Sequence, residues 1–543
     1  MNFTGYLNIL GGLGIFLLGV KLMSDGLEVI AGSKLKILIE KLTKNKYMAA
    51  LVGVIVTAVI HSSAVTTVMV VGFINAGIMN LKQAVGVIMG SNIGTTITGL
   101  MASLDLSLVA PGIICLGVTM LFFMSKNFYK SLGQIITGFG MLFFGLDFMG
   151  KSMEPLRNSQ TFVNLMASFR NPFLGLFAGL IITAILHSST AVIGVLQSLA
   201  KAGVVDLKSV VFIIYGQNVG TCVTALMAST GANKTAKRSA VIHLLFNVIG
   251  TLIFLLITLV MPFTSWIECI ARESVKAQIS LIHLIFNIVT TLLLLPFDNI
   301  LIKMSSKFIK GKDEAINKNN QDLIYLDNRI LNAPAIAVSQ VLKEVNRMAR
   351  LSQNNFEVAI SSFFEKNKNK IKEVYEREKT IDYLSRMITE YLVKVNGLDI
   401  SDTDKKIVGS LFHVVSDIER IGDHCENICE SSEIIISGKA KLSFEALNEI
   451  KNIKNLVLQI IKEAVIIFSH RKASTNDFKN ISYIEDSIDE KTESFRGHYI
   501  ERLNNKKCTA ISGAVFLDVL TNLERIADHA TNIAFSIKKY KAY

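Results

Sequence analysis

Residues 51–67 read LVGVIVTAVIHSSAVTT, and residues 177–193 read FAGLIITAILHSSTAVI. Each is an apolar run stopped by His-Ser-Ser, at His61-Ser62-Ser63 and at His187-Ser188-Ser189, and resumed at once. The same offset carries Gly90-x-Asn92-x-Gly94-Thr95 onto Gly216-x-Asn218-x-Gly220-Thr221, and Leu100-Met-Ala-Ser103 onto Leu226-Met-Ala-Ser229. A block that is apolar, doubled and polar at its middle has the pattern of a membrane transporter with internal two-fold symmetry.

The rest of the chain divides around this block. Half of the 543 residues are apolar, and mean hydropathy is +0.44. Long uncharged runs lie before residue 302, whereas the chain beyond is rich in Lys, Glu and Asn. A transmembrane transporter domain is therefore expected at 1–302, with repeats at about 8–103 and 134–229 and extra spans at 239–261 and 279–302. A linker is expected at 303–334 and a soluble helical domain at 335–543. The fold class is all-α throughout.

The apolar pieces flanking each His-Ser-Ser, 47–60 with 64–79 and 173–186 with 190–205, are short against the roughly 20 residues that span a bilayer. Each pair is read as a re-entrant hairpin, entering and leaving on one side. Backbone freed at such a break needs protein, ion or water as partner.

Lys34, Lys36, Lys41, Lys44 and Lys46 follow the first span, Lys126 and Lys130 the fifth apolar run, Lys234, Lys237 and Arg238 the second repeat, and Lys303, Lys307 and Lys310 the last span. Loops rich in Lys and Arg stay in the cytoplasm. The opposite loops hold Asp105, or balance Glu268 and Glu273 against Arg272 and Lys276. This places the protein in the cell membrane, with its N-terminus outside, its C-terminal domain cytoplasmic and its two repeats inverted. Inverted repeats put a shared site near the midplane, reached from either side by alternating access.

The doubled polar residues are the candidate site. Ser62, Ser63, Ser188 and Ser189 sit where a half-helix begins, so free N–H groups and the positive dipole end face the gap. Thr66 and Thr190 lie within the next turn. Asn92, Thr95 and Thr96, with Gln217, Asn218 and Thr221, are read as a second polar break beside Gly90, Gly94, Gly216 and Gly220. Oxygen ligands of this kind suit a hard cation such as Na+. Neither break holds Arg or Lys, so an anion would be held by N–H groups, hydroxyls and a co-bound cation. His61 and His187 could donate to an oxyanion, titrate, or cap the hairpin tip. Small and hydroxyl residues also serve helix packing alone, but two motifs doubled at one offset favour a site. His243-Leu-Leu-Phe-Asn247 and His283-Leu-Ile-Phe-Asn287 also match; they are read as interhelical polar contacts outside the site.

These motifs resemble the sodium/phosphate cotransporter family, whose repeats each carry a re-entrant hairpin with Gln-Ser-Ser and, further on, Gly-x-Asn-x-Gly-Thr. Here His replaces the Gln in both copies. The resemblance implies Na+-coupled movement of inorganic phosphate through Ser62, Ser63, Ser188, Ser189, Asn92, Thr95, Asn218 and Thr221. Phosphate export, proton-coupled anion transport and a membrane-anchored phosphate sensor are the alternatives.

The polar half is also doubled. Asp417-Ile-Glu419-Arg420-Ile-Gly-Asp423-His424-x-x-Asn427 returns as Asn522-Leu-Glu524-Arg525-Ile-Ala-Asp528-His529-x-x-Asn532, and Glu378…Asp382 pairs more loosely with Glu485…Asp489. About three helices per half predict two three-helix bundles. Carboxylates one turn apart repel, so four such pairs argue for a cation between them, either Mg, Mn or iron. The competing reading is a solvated face neutralised by Arg420 and Arg525. This half resembles the PhoU domain, whose Glu-x-x-x-Asp repeats bind metal clusters. The resemblance extends the expected partners to a second copy of the chain or a phosphate-signalling protein.

Other classes find no footing. Net charge is +12, but no Arg-rich, aromatic-interleaved stretch indicates nucleic acid. The six cysteines lack framework spacing. The sequence holds no P-loop, zinc motif or nucleophile-base spacing, so an enzyme is not expected. The N-terminus has no basic segment or cleavage site, so the first apolar segment is expected to be retained.

Overall fold

The computed structural model describes residues 3–42, 45–272, 274–311, 323–398, 400–471 and 473–538, with backbone alone for 32–42. The expected cytoplasmic positions Lys34, Lys36, Lys41 and Lys44, the loop residue Glu273 and the middle of the linker lie outside these side chains and residues. Every regular element among the described residues is helical, and the chain forms two units.

The first unit holds α1 (Phe3–Leu42), α2 (Lys46–Ile60), α3 (Ser63–Asn75), α4 (Leu81–Ser103), α5 (Ala110–Phe123), α6 (Asn127–Met153), α7 (Gln160–Ser168) and α8 (Pro172–Leu186). It continues with α9 (Ser189–Lys201), α10 (Leu207–Gly220), α11 (Cys222–Ala228), α12 (Lys234–Val260), α13 (Phe263–Ile270), α14 (Val275–Leu294) and α15 (Asp298–Phe308). Six stretches are long and apolar enough to cross a membrane: 3–31, 81–103, 127–158, 207–228, 234–260 and 275–308. The helices flanking each His-Ser-Ser are 15 and 13 residues long in both copies. At about 1.5 Å per residue, none reaches across roughly 30 Å of hydrocarbon.

Glycine brings the spans together. A Cβ on Gly19 would lie 2.7 Å from the Gly138 carbonyl oxygen, and one on Gly145 would lie 2.8 Å from that of Gly12. Gly12 and Gly138 are equivalent in the two copies, as are Gly19 and Gly145, so α1 and α6 meet through a self-complementary contact. Gly12 faces Met149, Gly19 faces Leu142 and Gly26 faces Ser131, so α1 and α6 run antiparallel. Equivalent helices that pack antiparallel are related by a two-fold axis lying across them. Since both are long enough to span, that axis lies in the membrane plane and the repeats are inverted.

The extra spans obey the same axis. Thr251 on α12 donates to the Tyr215 carbonyl of α10 (3.3 Å), and Thr291 on α14 donates to the equivalent Met89 carbonyl of α4 (3.4 Å). α12 and α14 meet at Gly250 and Thr290.

The glycines of the second motif have a packing role. A Cβ on Gly90 would stand 1.9 Å from the Ala50 carbonyl oxygen, and one on Gly216 would stand 1.9 Å from that of Leu176. They let α4 lie against α2 and α10 against α8. The expected second break is therefore corrected in copy one, where α4 runs unbroken through Asn92; in copy two the helix is interrupted at Thr221.

The expected linker is also shorter in effect. Lys303 and Lys307 are helical within α15. Residues Asp327–Ile336 belong to the first unit as a strap. Asn75 at the end of α3 donates to Asp327 (2.8 Å), Arg329 donates to the carbonyls of Ala228 (2.8 Å) and Thr230 (3.1 Å), and Ile330 is fully buried.

The second unit holds α16 (Pro334–Glu365), whose first turn belongs to the strap, then α17 (Lys368–Asn396), α18 (Asp402–Ile436), α19 (Phe444–His470), α20 (Thr475–Asn504) and α21 (Ala510–Phe535). Each has an apolar stripe at helical spacing, as Ile418, Ile421, Cys425 and Ile428 on α18, all buried. The helices form two three-helix groups joined along α18 and α21.

Gly90→Ala and Gly216→Ala are expected to lower the unfolding free energy by about 3 kcal/mol or more, the upper range of overpacking, or to prevent folding. Gly112→Ala, with nothing within 4 Å of the added carbon, should leave thermal unfolding of the detergent-purified protein unchanged.

Candidate functional site

Both His-Ser-Ser tips have one geometry. His61 (φ 52°) and His187 (φ 51°) end their helices in the left-handed region, where histidine is enriched among non-glycine residues. The next serine is extended and caps the following helix. Ser62 Oγ accepts from the Val65 N–H (3.2 Å), and Ser188 Oγ accepts from the Ala191 N–H (3.1 Å). A hydroxyl used as an acceptor keeps its own proton for donation. Ser63 and Ser189 follow as buried residues in the first turn.

The tips rest on the second motif. His61 Nδ1 lies 2.8 Å from Thr98 Oγ1, and the equivalent His187 Nδ1 lies 3.5 Å from Thr224 Oγ1. His61 is buried and His187 is exposed. Thr57 Oγ1 donates to Thr66 Oγ1 at 3.0 Å, and Thr66 lies over the Ser62 carbonyl at 3.1 Å. In copy two Val192 replaces Thr66, and the buried hydroxyl of Thr183 has no partner.

Thr95, Thr96 and Thr221 donate to carbonyls of their own helices, at 3.0, 2.7 and 2.6 Å. Their lone pairs are left as oxygen ligands. Thr190, 6% exposed, stands in the first turn of α9. Asn92 Oδ1 lies 3.3 Å from His243 Nε2, and Asn218 Oδ1 lies 3.0 Å from His283 Nε2. The two histidines that the sequence reading set apart from the site are thus bonded to its asparagines. Their repetition as His-x-x-x-Asn was the signal available. Both polar atoms of Gln217, Nδ2 of Asn218 and Oδ1 of Asn247 and of Asn287 are buried without a partner. Such a concentration of unsatisfied polar groups is unusual in a folded interior, and marks where ions or water would be held.

In the second unit the carboxylates of Glu378, Asp382 and Asp423 each offer an oxygen within 4.8 Å of the others. Oxygens so placed fit a hard divalent cation. Glu378 is 2% exposed; Asn355 Nδ2 donates to its Oε2 (3.2 Å), and its Oε1 has no partner. Gly422 makes room, since a Cβ there would lie 2.2 Å from Glu378 Oε2. Burial first, then the charges of Asp382, Glu426, Asp423 and Glu419, push the Glu378 carboxyl up to about 9. Burial and Asp423 also raise Asp382, and burial with Asp423 and Asp382 raises Glu419.

Copy two is built differently. Burial and neighbouring acids raise Glu485, Asp489 and Asp528, but Arg496 pairs with Glu524 (2.6 Å) and Arg525 lies 3.8 Å from Asp528. Asn427 and Asn532 sit at the α18–α21 contact. Asn427 and His424 both bond Asn522 Oδ1, at 3.0 and 2.8 Å, while Asn532 and His529 both bond Asp417 Oδ1, at 3.4 and 2.9 Å.

The Na+/Pi-cotransporter family model matches residues 15–151 and 148–272, and the PhoU domain model matches 345–432 and 450–537. YqeW of Bacillus subtilis, an uncharacterised protein, is 30% identical over 302 residues, 55% of this chain and 96% of that one. YjbB of Escherichia coli K12, whose name gives inorganic phosphate export as a provisional function, is 21% identical over 540 residues, 98% of this chain and 97% of its own. Human sodium-dependent phosphate transport protein 2B is 23% identical over 208 residues, 35% of this chain and 30% of that one.

Folding raises the proton affinity of Glu378, so unfolding releases a proton between pH 4.5 and about 9. With a chelator present, stability should therefore fall as pH rises through that window. Glu378→Gln should flatten the dependence in thermal unfolding, and Mg2+ or Mn2+ should reverse it in the unmodified chain alone.

Proposed function

We propose, for a chain that belongs to the Na+/Pi-cotransporter family and carries a PhoU domain, that phosphate crosses the membrane with Na+ by alternating access between its two repeats. Membership makes the protein a multi-pass phosphate transporter and not an enzyme. The finer reading is carried by one observation: the equivalent helices α1 and α6 meet across a two-fold axis in the membrane plane. A midplane site then lies between the tips, which enter as re-entrant hairpins, and rocking about that axis opens it to either side.

The residues divide the work by charge. The starts of α3 and α9 turn free N–H groups and the hydroxyls of Ser62, Ser63, Ser188 and Ser189 toward an anion, joined by the amides of Asn218 and Gln217. The oxygens of Thr66, Thr95, Thr96, Thr190 and Thr221 suit Na+. No Lys or Arg stands at either tip, and a multiply charged anion entering a medium of low polarity needs a counter-charge. A co-bound cation supplies it, which is the physical reason for coupling. His61 and His187 cap the tips and remain able to donate.

The N-terminus lies outside and the PhoU domain in the cytoplasm, with the acidic cluster of Glu378, Asp382, Glu419 and Asp423 holding a divalent or iron centre and the domain regulating flux. A second copy of the chain or a phosphate-signalling protein is the expected protein partner.

Export is the second reading. The relative named for export matches both halves of this chain, whereas the sodium-dependent relative matches only 35% of it. Full-length protein in liposomes distinguishes them with radiolabelled phosphate. An inward Na+ gradient should raise uptake at least roughly tenfold over K+, and Ser62→Ala or Ser188→Ala should abolish that rise while lowering stability by only about 1 kcal/mol, the cost of an N-cap. Flux that follows the phosphate gradient outward and ignores Na+ establishes export, and binding without flux establishes a sensor.

A further inference from the structure

His243 and His283 lie outside both repeats, on α12 and α14, yet each ends on the asparagine of one repeat. They are 1% and 3% exposed. A carboxamide oxygen only accepts, so each histidine must carry its proton on Nε2 to make the bond. The two bonds are related by the same axis as α1 and α6, but the surroundings of the two asparagines have diverged.

In copy one the donors are consumed. Ser91 Oγ donates to the Ile88 carbonyl at 2.8 Å, and Asn92 Nδ2 donates to the same carbonyl at 3.0 Å. In copy two Gln217 replaces Ser91. Asn218 Nδ2 and both polar atoms of Gln217 are buried without a partner, in side chains 3% and 0% exposed. A buried, unpaired amide costs about 1–3 kcal/mol, so Asn218 Nδ2 and Gln217 Nε2 place a standing demand for acceptors, while Gln217 Oε1 takes a donor. Phosphate presents acceptor oxygens on every side.

We propose that His283 is a positioning residue for the transported anion: it holds the Asn218 oxygen so that the amides of Asn218 and Gln217 face phosphate, whereas in the related His243–Asn92 pair the Asn92 amide is turned to the Ile88 carbonyl and the one atom left without a partner, His243 Nδ1, is an acceptor that offers nothing to an anion. Phosphate is thus read mainly by copy two. This assignment rests on the transport reading above and adds which copy of the doubled motif recognises the substrate. His283 touches no substrate; it removes the freedom of an asparagine that does.

The test is the half-saturation of phosphate flux in liposomes containing the full chain. Asn218→Ala and His283→Leu should each raise it about tenfold, the loss of one hydrogen bond to a charged ligand, with the maximal rate within about threefold. Joined in one protein they should do no more than either alone, because they remove one interaction. His283→Gln, which keeps a donor, should restore it to within about threefold, as a structural requirement for imidazole would not. His243→Leu should change it by less than about threefold. Equal effects in the two copies, failure of Gln to restore function, or a shift in Na+ half-saturation with phosphate unmoved would each overturn the assignment. If His283→Leu does not fold, the Gln and Asn218→Ala arms still decide. A wild-type chain that moves no phosphate refutes the transport reading instead.

Discussion

Close approach of backbone to backbone is the constraint on which the first unit depends. Lipid is as apolar as leucine, so burying side chains does little to bring membrane helices together, and packing at short range has to do it. The contacts at Gly12, Gly19, Gly138 and Gly145 fix α1 against α6; those at Gly90 and Gly216 fix the long helix of each repeat against the short helix that ends at a histidine. The tips are positioned through these contacts. A half-helix anchored along its length can end in midair, with strained backbone at its last residue, only because its neighbour holds it there.

Symmetry sets the architecture and its breaking sets the chemistry. Thr66 becomes Val192, Ser91 becomes Gln217 and Thr96 becomes Cys222. The Thr-to-Val and Thr-to-Cys changes are small in volume and the Ser-to-Gln change adds a longer side chain, but each alters a donor or acceptor. One tip is buried and hydrogen-bonded; the other is exposed, with a longer contact. The second unit repeats the pattern: one copy gathers three carboxylates around a buried Glu378, while the other spends Arg496 on Glu524.

Much of this was legible in the sequence. The doubled motif, the inverted order of the spans and the helical class follow from periodicity, charge and spacing, because duplication leaves a mark that divergence erases slowly, and the two family resemblances were carried by the motif residues themselves. The broken helices were readable from length alone. What could not be read is equally physical. Gly90 and Gly94 look the same whether they bend a helix or admit a neighbour, and only the position of α2 decides. His243 and His283 carried a visible repeat, but the asparagines they reach are far off in the chain. Asn427 and Asn532 share a helical register with the acidic face yet turn into the α18–α21 contact, since a residue at the margin of a stripe can serve either side.

The strap has a further consequence. Asp327 is held by Asn75, at the end of α3 in copy one, and Arg329 by the carbonyls of Ala228 and Thr230, at the tail of copy two. Seven residues after Asp327 the same chain becomes the first helix leading into the PhoU domain. The segment is therefore a tie-bar between the copies, bonded to both, and any displacement of one against the other would have to stretch these bonds or carry them along.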